Sequence, residues 1–197
     1  MKQVPLFAVV AALLSGCGSL TPSGLLSVAS FSPLDVETST LRAAVAMPSD
    51  WELKTGDLLL RLTFNPSDGS KPISETFSLV VSSRTTPSQP EVSKDESFFI
   101  ARLTPADADR FQSTQLSIRK RRAAVSGKGS FVVTVNGGCY FTRDMPTKLP
   151  LRTFVSSNNE PFSEVTRHAD LFADLGFEAA EQLRAKLHAC PVRLFDR

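Results

Sequence analysis

Leu58-Leu59-Leu60-Arg61-Leu62-Thr63-Phe64, followed by Asn65-Pro66-Ser67-Asp68-Gly69 and then by the run from Ile73 to Ser83, is the stretch that decides the fold class. Leu58, Leu60, Leu62 and Phe64 recur with period two and leave Arg61 and Thr63 on the opposite face, the pattern of a half-buried strand. Residues 65–69 contain Pro, Asp and Gly, each of which favours a turn. Beyond them Ile73, Phe77, Leu79 and Val81 alternate with Ser74, Thr76 and Ser78. The two runs read as a β-hairpin.

The same period extends in both directions. Upstream, Leu41, Ala43, Val45 and Met47 share one face of another half-buried strand. Downstream, Arg84 to Lys94 holds Pro87 and Pro90 with almost no apolar side chain and reads as an exposed loop. Phe98 to Leu103 is then too apolar on both faces for a free edge strand. At Thr104-Pro105-Ala106-Asp107 the period changes, because Thr at N-cap, Pro at N1 and an acid at N3 open a helix. Ala108, Phe111, Gln115 and Ile118 share a face of it, while residues 114–122 read either as its second half or as a strand opened by Leu116 and Ile118. Ser130 to Val135 returns to strand character, and Asn136-Gly137 is a two-residue hairpin signal that puts Cys139 near a hairpin. Leu151 to Val155 and, more weakly, Phe162 to His168 are further strands. Gly176 to His188 reads as a helix with Phe177, Ala180, Leu183 and Leu187 at spacings of three and four, ended by Pro191. Six or seven strands with two helices predict a mainly β (α+β) fold, an Ig-like antiparallel β-sandwich with one internal and one C-terminal helix.

The 197-residue chain carries 22 Lys and Arg against 20 Asp and Glu. Near neutrality argues against a nucleic-acid partner, and a 21% charged fraction with 14 Phe argues against a wholly disordered chain. Lys2 and the apolar run Val4 to Leu14, interrupted only by Pro5, have the layout of a secretory signal. As a helix that run covers ~16 Å against a hydrocarbon core of ~30 Å, so it is too short to span a membrane. Directly after it stands Leu14-Ser15-Gly16-Cys17. These four residues resemble the lipobox of the bacterial lipoprotein class at every position. The resemblance implies that the Cys17 thiol is alkylated by diacylglycerol, that the chain is cut before Cys17 and that the new amine is acylated. It also implies the outer membrane, periplasmic side, because Gly18 stands where the class often places an Asp for inner-membrane retention. At ~0.8 kcal/mol per buried methylene, two or three acyl chains hold permanently. Residues 1–16 are therefore expected to be a signal peptide, 17–34 a lipidated Cys and flexible tether, and 35–197 a single β-rich globular domain.

With Cys17 lipidated, Cys139 and Cys190 remain as an even pair in an oxidising compartment and are expected to form a disulfide. Two free buried thiols are the alternative; a catalytic Cys139 with His168 or His188 lacks any local signature. Other chemistry is thin. Glu164, His168 and Asp170 are the nearest thing to a cluster, and on a strand His168 and Asp170 would share a face, although a solvated polar face is the simpler reading. None of the 24 Ser lies in a Gly-x-Ser-x-Gly elbow. Ser126-Gly127-Lys128-Gly129-Ser130 lacks the first Gly and the hydroxyl residue of a phosphate loop and reads as a turn before a strand. Glu160 and Glu164 have no second feature that would make them a glycosidase pair. No catalytic, metal or cofactor residue is assigned.

Arg119-Lys120-Arg121-Arg122 is the most conspicuous charge run. Cations late in a helix complement its dipole, and the run is also a candidate contact for anionic lipid headgroups, lipopolysaccharide or an acidic partner. Residues 17–100 carry 6 basic and 10 acidic groups, whereas 101–197 carry 15 and 10, so a spatial separation of the halves would polarise the domain. Trp51 reads as a core plug under a turn, and Tyr140 as packing on the disulfide. The expected function is a non-catalytic lipid-anchored envelope protein with a structural, assembly or protein-interaction role. Two rivals are a binding module for a lipid, amphiphile or envelope glycan, which requires an apolar cavity, and a periplasmic hydrolase, which requires His168 or His188 in a concave site beside a Ser or carboxylate.

Overall fold

A computed structural model describes residues 32–83, 92–158 and 160–191. Cys17, the signal segment and most of the 17–34 tether lie outside the described residues.

The hairpin forms as its pattern predicts. Strands β1 (Arg42–Pro48) and β2 (Trp51–Glu52) precede it, and β3 (Leu58–Pro66) pairs antiparallel with β4 (Ile73–Ser78) from Leu59↔Ser78 to Phe64↔Ile73. Leu58, Leu60, Leu62 and Phe64 are all buried. The run Ile73 to Ser83 nevertheless serves two sheets. At Leu79 the chain leaves β4, donating its N–H to the Leu58 carbonyl (2.9 Å) and accepting from Gly56 N–H (3.0 Å), and continues as β5 (Val80–Ser83). β5 is the edge of a five-stranded antiparallel sheet of order β10-β9-β1-β6-β5, with β6 Glu96–Arg102, β9 Leu151–Ser156 and β10 Ser163–His168.

In this sheet β6 lies between β1 and β5, as its two-faced apolarity requires. β1 is buried on both faces rather than one. Ala43, Val45 and Met47 join the main core, while Ala44 and Ala46 form a second cluster on the other face with Phe98, Ile100, Phe154 and Phe162. Phe98 sits edge-on to Phe154 and Phe162, with centroids 5.2 and 5.4 Å away.

Thr104 caps helix α1 (Pro105–Ala124), its hydroxyl accepting from Asp107 N–H at 3.0 Å. The helix runs to Ala124, so residues 114–122 are helix and not strand. Phe111, Thr114, Gln115 and Ile118 are buried at helical spacing, and Leu116, which suggested a strand, is 57% exposed. Phe111 wedges between Phe77 of β4 and Phe131 of β7 (Gly127–Val135), with centroids 5.3 and 6.4 Å away. β7 lines the other side of β3 in a three-stranded sheet β4-β3-β7.

Asn136-Gly137 does not close a hairpin. β7 and β8 (Gly138–Tyr140) belong to different sheets, and the dipeptide carries the chain between them while Asn136 N–H donates to the Asp57 carbonyl at 2.7 Å. A Cβ on Gly137 would meet Asp57 Oδ1 at 2.6 Å and Gly138 has φ of 146°, so both glycines are required without a hairpin.

The C-terminal helix is shorter than its periodicity suggests. Of Gly176 to His188 only α3 (Phe177–Arg184) is helical, and a separate short helix α2 (Leu171–Leu175), which no periodicity marked, precedes it across Gly176 at φ 74°; Phe177 is 86% exposed. Leu187 leaves the helix for β11 (Leu187–Ala189), which pairs parallel with β8 in a third sheet β11-β8-β2. The Cys139–Cys190 disulfide closes this sheet, with Cα atoms 4.8 Å apart. Trp51 is 1% exposed and edge-on to Tyr140 at 5.7 Å, so Tyr140 packs on Trp51 beside the disulfide. The result is an α+β, β-sandwich-like fold with antiparallel main sheets.

Candidate functional site

The basic run occupies the last turns of α1, where successive side chains are rotated by about 100°. Arg119 donates to the Leu34 carbonyl and lies 3.5 Å from Asp35. Arg121 donates to Ser70 Oγ at 2.8 Å. Hydrogen bonds from the side chain and the N–H of Ser70 hold the Asp68 carboxyl below the ordinary carboxylate range. Lys120 and Arg122 are exposed. The four residues are thus brought together along the chain but face different surroundings. The two halves of the charge distribution are also interlocked, through Arg110–Glu75 (3.2 Å), Arg119–Asp35 (3.5 Å) and Arg152–Glu96 (2.7 Å).

Gln115, 2% exposed, donates Nε2–H bonds to the carbonyls of Pro33 (2.8 Å) and Val36 (3.0 Å). Together with Arg119 it fastens residues 33–36 to α1, so the described end of the segment expected to be a flexible tether packs on the domain. Beside this segment a cavity of about 480 Å³ opens between α1, the three-stranded sheet and the β9–β10 side of the five-stranded sheet. Leu34, Phe64, Ile118, Phe131, Val155 and Val165 supply apolar wall, and Arg122 is the one charged side chain lining it among the described residues.

β7 opens with two glycines, and the second of them, Gly129, leaves space on the cavity side. Pairing of β7 with β3 puts Gly127 and Gly129 in the same inward row as Phe131, Val133 and Val135. A Cβ on Gly129 would meet only the Thr63 carbonyl at 3.7 Å, whereas on Gly127 it would lie 2.5 Å from the Asn65 carbonyl and 2.6 Å from Phe64 Cζ. Gly127→Ala is therefore expected to destabilise by about 1–3 kcal/mol through overpacking. Gly129→Ala should stay within ~0.5 kcal/mol of the parent. Urea midpoints of the two variants check the difference.

A second, more open cleft of about 1100 Å³ lies where the turn before β6 faces β9 and β10, with Glu96, Arg152, Arg167 and His168 in its lining. Arg152 bridges Glu96 (2.7 Å) and Glu164 (3.4 Å), and Glu164 also holds Arg167 through two bonds of 2.8 Å. Glu164 thereby raises the Arg167 guanidinium further above its ordinary value. Asp170 caps α2, accepting from the N–H groups of Phe172 and Leu149 at 3.1 Å each. His168 Nδ1 lies 2.7 Å from Asp174 Oδ2. Glu164, His168 and Asp170 therefore have three separate sets of partners and form no common site. His168 does have a carboxylate within reach in a concave wall, but no serine hydroxyl is bonded to its ring among the described residues. Ser93 lines the same cleft, and its Oγ accepts from Asp95 N–H at 3.5 Å.

Cys139 is bonded to Cys190, which removes the thiolate that a nucleophile or a soft metal site requires. Glu52 converges with the two sulfurs within 4.8 Å, but disulfide sulfurs carry no anionic ligand charge, so this donor set does not fit a metal ion. His188 is exposed and stands opposite Cys139 in the β11–β8 register. Reading by motif missed the cavity; it placed Gln115 on the inner face of the helix, where it is buried, but not its bonds to residues 33 and 36. The available signal was Gly127-x-Gly129 at the head of an alternating strand, where two successive inward positions lack side chains.

No protein-family model, curated protein or solved structure matched the chain.

Proposed function

We propose that the protein is a non-catalytic, lipid-anchored component of the bacterial outer membrane, held on the periplasmic side through Cys17, whose β-rich domain has a structural, assembly or protein-interaction role. The observation that carries this reading is the four-residue lipobox Leu14-Ser15-Gly16-Cys17 directly behind a short apolar run. The Cys139–Cys190 disulfide agrees with an oxidising compartment. Fastening of residues 33–36 to α1 gives the tether a defined point of attachment on the domain, near the Arg119 to Arg122 run.

Replacing Cys17 with Ala is expected to move the protein from the membrane fraction to the soluble one. Unchanged membrane association of Cys17→Ala would overturn the anchor. In-cell crosslinking with mass identification of attached proteins is expected to return an envelope partner. A second reading, a binding module for a membrane amphiphile, is favoured by the half-open apolar cavity at the base of the tether. Lipid captured without protein would shift the balance to it.

A further inference from the structure

We propose that the cavity at the end of α1 receives one acyl chain of an anionic single-chain amphiphile, and that Arg122 is the contact for its headgroup. This inference rests on the amphiphile-binding reading and names its ligand class.

Four observations converge on it. The cavity volume of about 480 Å³ is that of a small-ligand pocket. Its wall is built from side chains of α1, β3, β7, β9 and β10 and from the segment at Leu34, and the apolar ones dominate. That lining suits a hydrocarbon, each buried methylene of which contributes about 0.8 kcal/mol, and offers few of the hydrogen-bonding groups a glycan needs. No acidic residue lines it among the described residues, so Arg122 faces the cavity without a carboxylate to neutralise it. An apolar slot with one guanidinium complements a chain that ends in a carboxylate or phosphate, the groups Arg binds through paired hydrogen bonds. Finally, the inward row of β7 is bare at Gly129, where a Cβ has room and a larger side chain would project into the cavity.

The test uses the full lipidated chain in phosphatidylcholine vesicles, with a diazirine-bearing fatty acid and the fatty alcohol of the same chain length as probes. Adducts are mapped by mass spectrometry. The acid is expected to label peptides containing Ile118 or Phe131. Gly129→Leu should abolish that labelling with both probes, and thermal melting establishes that the variant is folded. Arg122→Glu, at an exposed helix position, should cut labelling by the acid about tenfold, as expected for loss of a charge-assisted bond, and leave the alcohol unchanged. No adduct in these peptides with either probe, as when the tether or a second copy fills the cavity, overturns the amphiphile reading itself. Equal labelling by the two probes in both the parent and Arg122→Glu leaves that reading standing and overturns the assignment of Arg122. Labelling that survives Gly129→Leu places the chain elsewhere and overturns the cavity as its site.

Discussion

Replacing Phe111 with Ala is expected to lower the unfolding free energy by about 3–5 kcal/mol, the range for truncating a buried aromatic without collapse of the cavity. Phe111 is 0% exposed and meets Phe77 from one strand and Phe131 from another, so a single ring couples α1 to both outer strands of the three-stranded sheet. Its deletion removes hydrophobic transfer energy and two aromatic contacts, and the surrounding strands cannot close the gap without breaking their pairing to β3. Leu116→Ala, four-sevenths exposed on the opposite side of the same helix, should change stability by less than ~0.5 kcal/mol. Chemical denaturation of both variants measures the contrast. Equal losses would mean that α1 is not seated on the sheet through this ring.

Removing the disulfide by the double substitution Cys139→Ala and Cys190→Ala is expected to cost about 4 kcal/mol in the chain-entropy model, since the bond closes a sequence separation of 51. For a domain of this size that corresponds to a fall in Tm of roughly 10 °C. The segment most affected should be β11, a three-residue strand held by parallel pairing to β8. Hydrogen exchange is expected to show loss of protection at Leu187 to Ala189 before the five-stranded sheet responds. A double variant that melts with the parent would mean that β11 pairing alone holds the C-terminal segment.

The parts of this fold that were legible in the sequence are those in which one face is apolar and the other is not. β3 and β4 announced themselves because Leu58, Leu60, Leu62 and Phe64 recur with period two before a turn-rich stretch, of which Asn65 and Pro66 still belong to β3 and Ser67 to Gly69 turn. Thr104 and Pro105 marked the start of α1 for a similarly local reason. What could not be read depends on distant partners. Ala44 and Ala46 are too small to signal the second apolar face they bury against Phe154 and Phe98. Asn136-Gly137 specifies a backbone conformation but not which strands it joins. Phe177 completes a helical stripe in the sequence yet lies in solvent in the first turn of α3, and Leu187 of the same stripe lies in β11, paired with β8.

The candidate site was harder still, because a cavity is defined by side chains that are missing. Gly127 and Gly129 carry different constraints that only the structure separates: one position is filled by the Phe64 ring, the other is open. The conspicuous Arg119 to Arg122 run was visible at once. Its division between contacts to Leu34 and Ser70 and the exposed Arg122 depends on the path of residues 33–36, which no periodicity foretells.

Mass spectrometry of the N-terminal peptide of the protein isolated from membranes decides whether lipid at Cys17 tethers the protein. The expected peptide begins at Cys17 and carries diacylglycerol on its sulfur and an acyl group on its amine. A chain that retains Met1, or a mature chain in which Cys17 is an unmodified thiol, would contradict the lipid tether.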